Sequence, residues 1–378
     1  MAHVEDRWEK VVAGRRQRTD RYGSGKRWRA RYVDADGRER SQTFARKGDA
    51  ERFLVAVEAD LLRGTYVDPQ RAKLTVAAYA ERWLQAQPLR PSSRRTYEIY
   101  LRTRIVPALG ARALGSLTPT DVRGLLRTLQ EELAPITVHH VHGLLATILR
   151  SAVEDGYLSR NPCARTAPGK GAKSRVVPLA VEQVQAVIDA LPERYRVAAM
   201  LGAGCGLRVG EVLGLRIGSV RLGGEAELQV VEQLQLLPGA PPKLVPPKTA
   251  SSIRAVPIPA TVCEAITAHL DRWPGGTEEL LLRSSTGGPI WPNTFHASIW
   301  RPAARRAGLG TARFHELRHF YATALIRAGE DVKTVQAALG HASAVETLET
   351  YAGLWPDHEQ RTRAAVDGLG LSSKVQRG

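Results

Sequence analysis

Cysteine is scarce: Cys163, Cys205 and Cys263 stand far apart in 378 residues and form no CxxC pair. That spacing argues against a disulfide framework or a cysteine-built zinc site, and it suits a reducing compartment. No apolar run approaches the ~18 residues that a membrane-spanning helix needs. The opening stretch MAHVEDRWEK is charged and has no apolar centre, so no secretory signal is read there. A G-x-x-x-x-G-K-[ST] loop is missing too, which gives no support to chemistry driven by nucleotide hydrolysis. These absences lead to the expectation of a cytoplasmic protein with no membrane partner. Acidic residues are also in deficit: 38 Asp and Glu face 54 Lys and Arg, a net charge of +16. Such an excess implies a polyanionic partner, with nucleic acid ahead of an anionic membrane surface. The remainder, 43% hydrophobic and 24% charged, is a globular composition long enough for two or three domains.

Residues 1–73 read as a small basic module. Ten cations lie between Arg7 and Arg31, including Arg15, Arg16, Arg27, Arg29 and Arg31, against Glu9 and Asp20 alone. RWRARYV alternates with the period of a half-exposed strand, Asp36-Gly37 is a hairpin turn, and RERSQTF supplies the return strand. An apolar stripe from Asp49 to Arg63 ends at Gly64, as a helix would. The module is expected to be a three-stranded sheet with one helix, its five named arginines facing phosphate. Residues 74–165 read as an all-α bundle, with Thr75 and Thr118 starting helices and Pro107 and Gly110 stopping one. Its basic loops contain Arg94 and Arg95. TAPGKGAKSR, residues 166–175, has the composition of a linker. Residues 176–360 are expected to form a mainly α domain with a small antiparallel β insert, followed by a tail at 361–378.

The chemistry concentrates in RFHELRHFYATALIRAGEDVKTVQAALGHASAVETLETY, residues 313–351. His315, Arg318 and His319 share one helical face, His341 sits in a Leu-Gly-His turn, and Tyr351 follows it by ten residues. HELRH also fits the H-E-x-x-H zinc-protease pattern, with Glu316 as base and Glu346 or Glu349 as third ligand. Against zinc stand the permanent cation of Arg318 and the lack of an H-x-x-G-x-x-H extension. Upstream, Arg208 begins a helix in GAGCGLRVGEVLGLR, where a guanidinium beside free backbone N–H groups suits a phosphate.

Taken in order, GLRVGEVLGLR, PPKTASSIRAVPIP, HELRH, LGH and Tyr351 resemble the catalytic domain of the tyrosine recombinases, the phage integrase family. The likeness covers about residues 175–360; the bundle resembles that family's core DNA-binding domain and residues 1–73 its arm-site-binding domain. The resemblance implies that Tyr351 attacks a DNA phosphate, leaving a 3′-phosphotyrosyl link and a 5′ hydroxyl. Arg208 and Arg318 would hold the non-bridging oxygens, and Lys248 would protonate the departing oxygen. His315 and His341 would donate hydrogen bonds or help move the tyrosine proton. Glu211 would brace Arg208, and His319 is read as a packing and hydrogen-bonding neighbour with a lesser catalytic claim. Lys243 is the weaker lysine and Tyr321 the rival nucleophile. The chemistry is sensible without a metal or other cofactor, since two fixed guanidiniums stabilise the charge that builds at phosphorus.

The resemblance further implies a site-specific recombinase that integrates or excises a phage or mobile element, gripping duplex DNA in a C-shaped clamp. Core and arm-type DNA sites, a homotetramer, an excisionase and a host DNA-bending protein are the partners it suggests. The tail would dock on a neighbouring subunit. A resolvase of chromosome or plasmid dimers, a topoisomerase-like enzyme and a DNA-binding protein without activity are the other readings within reach.

Overall fold

Two cores, in separate units, account for most of the buried side chains. The units comprise residues 1–172 and 173–378. The computed structural model describes residues 2–12, 14–169, 177–236, 240–247, 249–355 and 363.

The first unit opens with short strands: β1 (His3–Asp6), β2 (Glu9–Val12), β3 (Arg15–Arg18), β4 (Trp28–Val33) and β5 (Glu39–Phe44). β1, β4 and β5 form an antiparallel sheet, and helix α1 (Lys47–Arg63) closes one face over Ala30, Tyr32, Leu54 and Val57. The β4–β5 turn holds because the Asp34 carboxylate accepts the N–H groups of Asp36 and Arg38. β2 and β3 pair as a separate hairpin that the sequence did not announce, its strands being short and polar.

The bundle follows. Thr75 caps α2 (Val76–Ala86) by accepting the Ala78 N–H at 3.2 Å, as its position before the apolar stripe suggested. α3 (Pro91–Tyr100) runs into a π turn, Leu101–Ile105, and then α4 (Val106–Leu109). Pro107 therefore lies inside helical backbone instead of stopping it, and the widened turn ahead of it accommodates its missing N–H. A reciprocal Thr118–Asp121 capping box starts α5 (Pro119–Glu132), and α6 (Pro135–Glu154) is the buried spine. Tyr79 donates to Asp155 at 2.6 Å and Trp83 to Ser151 at 3.1 Å, tying α2 to the end of α6.

In the second unit α7 (Val181–Ala190), α8 (Glu193–Cys205) and α9 (Val209–Leu213) precede the β insert. β6 (Val220–Arg221), β7 (Glu227–Val230), β8 (Gln233–Gln235), β9 (Lys243–Val245) and β10 (Arg254–Pro257) make an antiparallel β10-β7-β6 sheet and a β8–β9 hairpin. Helices α10 (Ala260–Arg272), α11 (Pro292–Thr294), α12 (Arg301–Arg306), α13 (His315–Arg327), α14 (Val332–Leu339) and α15 (Ala344–Tyr351) complete it. Its main core gathers Leu201, Leu213, Ile266, Phe295, Trp300 and Leu317, while a smaller one joins α13, α14 and α15 through Ile326, Val335, Leu339 and Tyr351. The fold is thus multidomain, with a small α+β module, a helical bundle and a mainly α domain carrying a β insert. Lys248, residues 170–175 of the expected linker and, Arg363 excepted, the expected tail at 361–378 lie outside the described residues.

Candidate active site

Two helix C-termini set the frame. α8 ends in Gly206, at φ +64°, where any Cβ would fall 2.3 Å from the Tyr321 ring. α14 ends in Gly340, at φ +65°. Carbonyls at such ends have lost their intrahelical donors and need others. Buried guanidiniums supply them. Arg318, 1% exposed, donates to Gly206 O at 2.7 Å and to Leu339 O at 2.5 Å. Arg254 donates through Nε to Ala338 O at 2.9 Å. Arg318 thereby fixes the backbone two residues before Arg208 and two before His341, drawing distant motifs together.

Glu211 is the electrostatic counterweight. It is 3% exposed and accepts from Arg208 Nη1 at 2.8 Å, from the Arg208 backbone N–H at 3.0 Å and from Arg254 Nη2 at 3.0 Å. Burial pushes its carboxyl upward, but the charge and hydrogen bonds of Arg254, joined by Arg208, hold it below the usual range. Glu211 thus contacts Arg208 through both its guanidinium and its backbone N–H. Arg254 is the residue that sequence reasoning missed. Its only signal was a cation in the otherwise apolar run IRAVPIP.

The histidines are neutral. His315 lies at the surface end of the site, yet the protein packed around it, His319 and the Arg318 charge push its pKa down to about 4. His341 is buried and pushed down to about 3, chiefly by burial and then by Arg318 and Arg208. Its Nδ1 pairs with Thr347 Oγ1 at 2.8 Å. Burial likewise lowers His319, with Glu316 opposing and Arg318 assisting. Arg318 itself is lowered to about 9 by burial and Arg208, and so keeps its charge at neutral pH. Three guanidiniums against one carboxylate leave a surplus of two positive charges, one for a phosphodiester monoanion and one for the charge that builds on its oxygens under attack.

Tyr351 is 1% exposed and packs in the α13–α15 core. Burial, opposed by Arg318, raises its hydroxyl to about 12. The hydroxyl lies 2.7 Å from His319 Nδ1, and the phenol donates in the tautomer that carries the ring proton on Nε2. His315 stands edge-on to His319, ring centroids 4.8 Å apart. HELRH thus directs its second histidine at a phenol, and among the described residues no cluster of three or more His, Cys, Asp or Glu could hold a metal. Tyr321 is part-buried against Gly206.

The loop that follows position 248 is held by hydroxyl contacts. Thr249 Oγ1 meets Ser252 Oγ at 2.9 Å, and Ser252 Oγ donates to Gly340 O at 3.3 Å, stitching the loop to the Leu-Gly-His turn. Lys243 is exposed on β9.

The candidate DNA-contact residues belong to the other unit. Arg15 and Arg16 are exposed on β3, with Arg16 3.6 Å from Glu9. Arg27 pairs with Asp6 at 2.7 Å and with Glu9 at 3.2 Å. Arg29 and Arg31 each reach Glu5 at 2.8 Å. Glu5 and Asp6 precede the window in which the cations were counted, so this sheet face carries more negative charge than the count implied. Arg94 and Arg95 lie on helix α3 and not in a loop, because Pro91 starts the helix ahead of them; Arg94 donates to Leu84 O and Gln87 O, both at 2.9 Å, closing the end of α2, while Arg95 is exposed.

Comparison with known proteins adds the following. A model described as the phage integrase family matches residues 178–357, with the phage integrase N-terminal domain matching 18–63 and the central domain 76–168. The chain is 30% identical over 311 residues to an integrase of Mycobacterium phage L5, covering 79% of this chain and 83% of that one. It is 27% identical over 350 residues to a putative prophage phiRv2 integrase of Mycobacterium tuberculosis, covering 89% and 92%. Among solved structures, the Tn1549 transposon integrase bound to transposon right end DNA superposes with TM-score 0.69 at 20% identity, over 79% of this chain and all of that one. A lambda integrase tetramer on a Holliday junction gives 0.57 at 19% identity, over 87% and 93%.

Proposed function

The chain belongs to the phage integrase family, and from that premise we propose that it cuts and rejoins DNA through Tyr351 to integrate or excise a phage or mobile element. In this mechanism Arg208 and Arg318 hold the non-bridging oxygens of the scissile phosphate. Fixed guanidiniums stabilise charge there without reorganising as the reaction proceeds. Neutral His315 and His341 donate hydrogen bonds to the same oxygens, and Lys248 protonates the departing 5′ oxygen. Bond energy is kept in the phosphotyrosyl link, so rejoining needs no nucleotide.

The observation that supports this most is the double anchorage of Arg318. One buried cation is fixed to the backbone beside Arg208 and to the backbone beside His341, and Tyr351 packs in the small core that contains Leu339, whose carbonyl Arg318 holds. Glu211 orients Arg208 from behind while leaving part of the guanidinium open, its side chain 31% exposed.

The division of labour follows the family: residues 1–73 for arm-type sites, 74–165 for core sites, 166–175 as linker and 176–360 for catalysis. Of the seven named arginines, Arg15, Arg16 and Arg95 are the exposed ones and are assigned to phosphate in the first two. Strand exchange between two duplexes calls for a homotetramer, acting in the cytoplasm, with an excisionase and a host DNA-bending protein as directional partners. The test is the chemistry of the cut ends. Cleaved attachment-site DNA should carry a 5′ end that a polynucleotide kinase labels without prior phosphatase, and its 3′ end should be blocked by a Tyr351 peptide. A 5′ phosphate or a free 3′ hydroxyl would refute the proposal.

A further inference from the structure

Attack by Tyr351 requires the phenol to lose its proton, and burial raises its pKa to about 12, so little phenolate exists at neutral pH. An acceptor must therefore lie within hydrogen-bond reach as the new bond forms. His341 has its Nδ1 on Thr347 Oγ1 at 2.8 Å and its Nε2 3.8 Å from Glu346, and its pKa of about 3 makes it a poor base. His315, at about 4, is little better and packs T-shaped against the His319 ring. His319 alone of the three is seen on the hydroxyl, at 2.7 Å, with ring centroids 5.5 Å apart and planes at 67°.

We propose that His319 Nδ1 accepts the Tyr351 proton during DNA cleavage and returns it during rejoining. This deepens the proposed function and rests on it. A lone pair of the Tyr351 oxygen forms the bond to phosphorus, and the bond from phosphorus to the 5′ oxygen breaks, its electron pair leaving on that oxygen. The phenol proton ends on His319, while the 5′ oxygen takes its proton from the acid assigned to Lys248. In rejoining each transfer runs backward. Burial and Arg318 keep the ring neutral at rest and so ready to accept. Once protonated, the imidazolium gains from Glu316 on its own helix and from the negative charge of the arriving phosphate. Thr323 donates to the His319 carbonyl at 2.8 Å, helping hold this turn of α13 in place.

The experiment measures single-turnover formation of the covalent adduct on nicked attachment-site DNA, with DNA binding followed alongside. His319→Asn presents an oxygen near the place of Nδ1, accepting a hydrogen bond without basicity, whereas His319→Ala removes both. Each variant should bind DNA like wild type and form adduct about 10²- to 10⁴-fold more slowly. Added imidazole should speed the Ala variant and leave the Asn variant slow. A 5′-phosphorothiolate linkage, whose sulfur departs without a proton, should rescue neither, because the defect lies at the nucleophile. Wild-type rates in His319→Asn would overturn the proposal by reducing His319 to positioning. Rescue by phosphorothiolate would overturn it by moving the defect to the leaving group. If His319→Ala fails to bind DNA, the Asn variant carries the test. Absence of adduct from wild type would defeat the recombinase reading itself, a separate result.

Discussion

Replacing Arg254 by Met removes one of the two cations that hold Glu211. Arg254 and Glu211 side chains are 6% and 3% exposed, so the carboxylate cannot turn to water for compensation. Breaking a buried pair from one side costs about 3–5 kcal/mol. The lower end applies, because Arg208 still donates twice to Glu211. The substitution also strips Ala338 O of its side-chain donor at the end of α14. With a slope of about 3 kcal/mol per molar urea, a loss of about 3 kcal/mol moves the unfolding midpoint of this unit down by about 1 M. Pulse-labelled hydrogen exchange on α8 and α13 peptides reads this unit apart from the first. Arg254→Lys should fall between, since an ammonium cannot reproduce the forked contact with Glu211 while also meeting Ala338 O. A midpoint unchanged in Arg254→Met would refute the view that this ion pair supports the site.

Arg318→Lys cannot span Gly206 O and Leu339 O together, and adduct formation should drop by about 10²-fold or more in single-turnover assays. Gly206→Ala puts a Cβ 2.3 Å from Tyr321 at positive φ, so a loss of at least about 1–3 kcal/mol is expected by denaturation. Stability should be full above about pH 6.5, the unfolded histidine value, and decline as pH falls toward the folded values of about 4 and 3 for His315 and His341. The sign follows from depressed folded pKa values: the unfolded chain takes up protons first, and His142 and His269, also lowered, act in the same direction. Melting curves between pH 7.5 and 5 check this, with His341→Asn flattening the slope.

What was legible from sequence was local. Helix caps at Thr75 and Thr118, the Asp36-Gly37 turn and the apolar stripe of α1 each depend on neighbours a few residues away, and each was read. The ordered motifs around Arg208, HELRH, His341 and Tyr351 marked the candidate site because their spacing could be compared with a family. What was missed joins distant chain segments. Arg254 meets Glu211 across 43 residues, and His319 meets Tyr351 across 32. Neither pairing leaves a periodic trace. The same holds for Glu5, which meets Arg29 and Arg31 only because β1 lies beside β4. Pro107 reads as a stop in the sequence because the compensating π turn before it has no signature in composition.

The central claim is that Tyr351 becomes covalently joined to DNA without help from a metal. The protein is incubated with nicked attachment-site DNA in excess EDTA, and products are resolved under denaturing conditions. Wild type should yield a protein–DNA adduct that maps to Tyr351, and Tyr351→Phe should yield none while still binding the DNA. An adduct that persists in Tyr351→Phe, or that wild type fails to form once metals are chelated, would contradict the account.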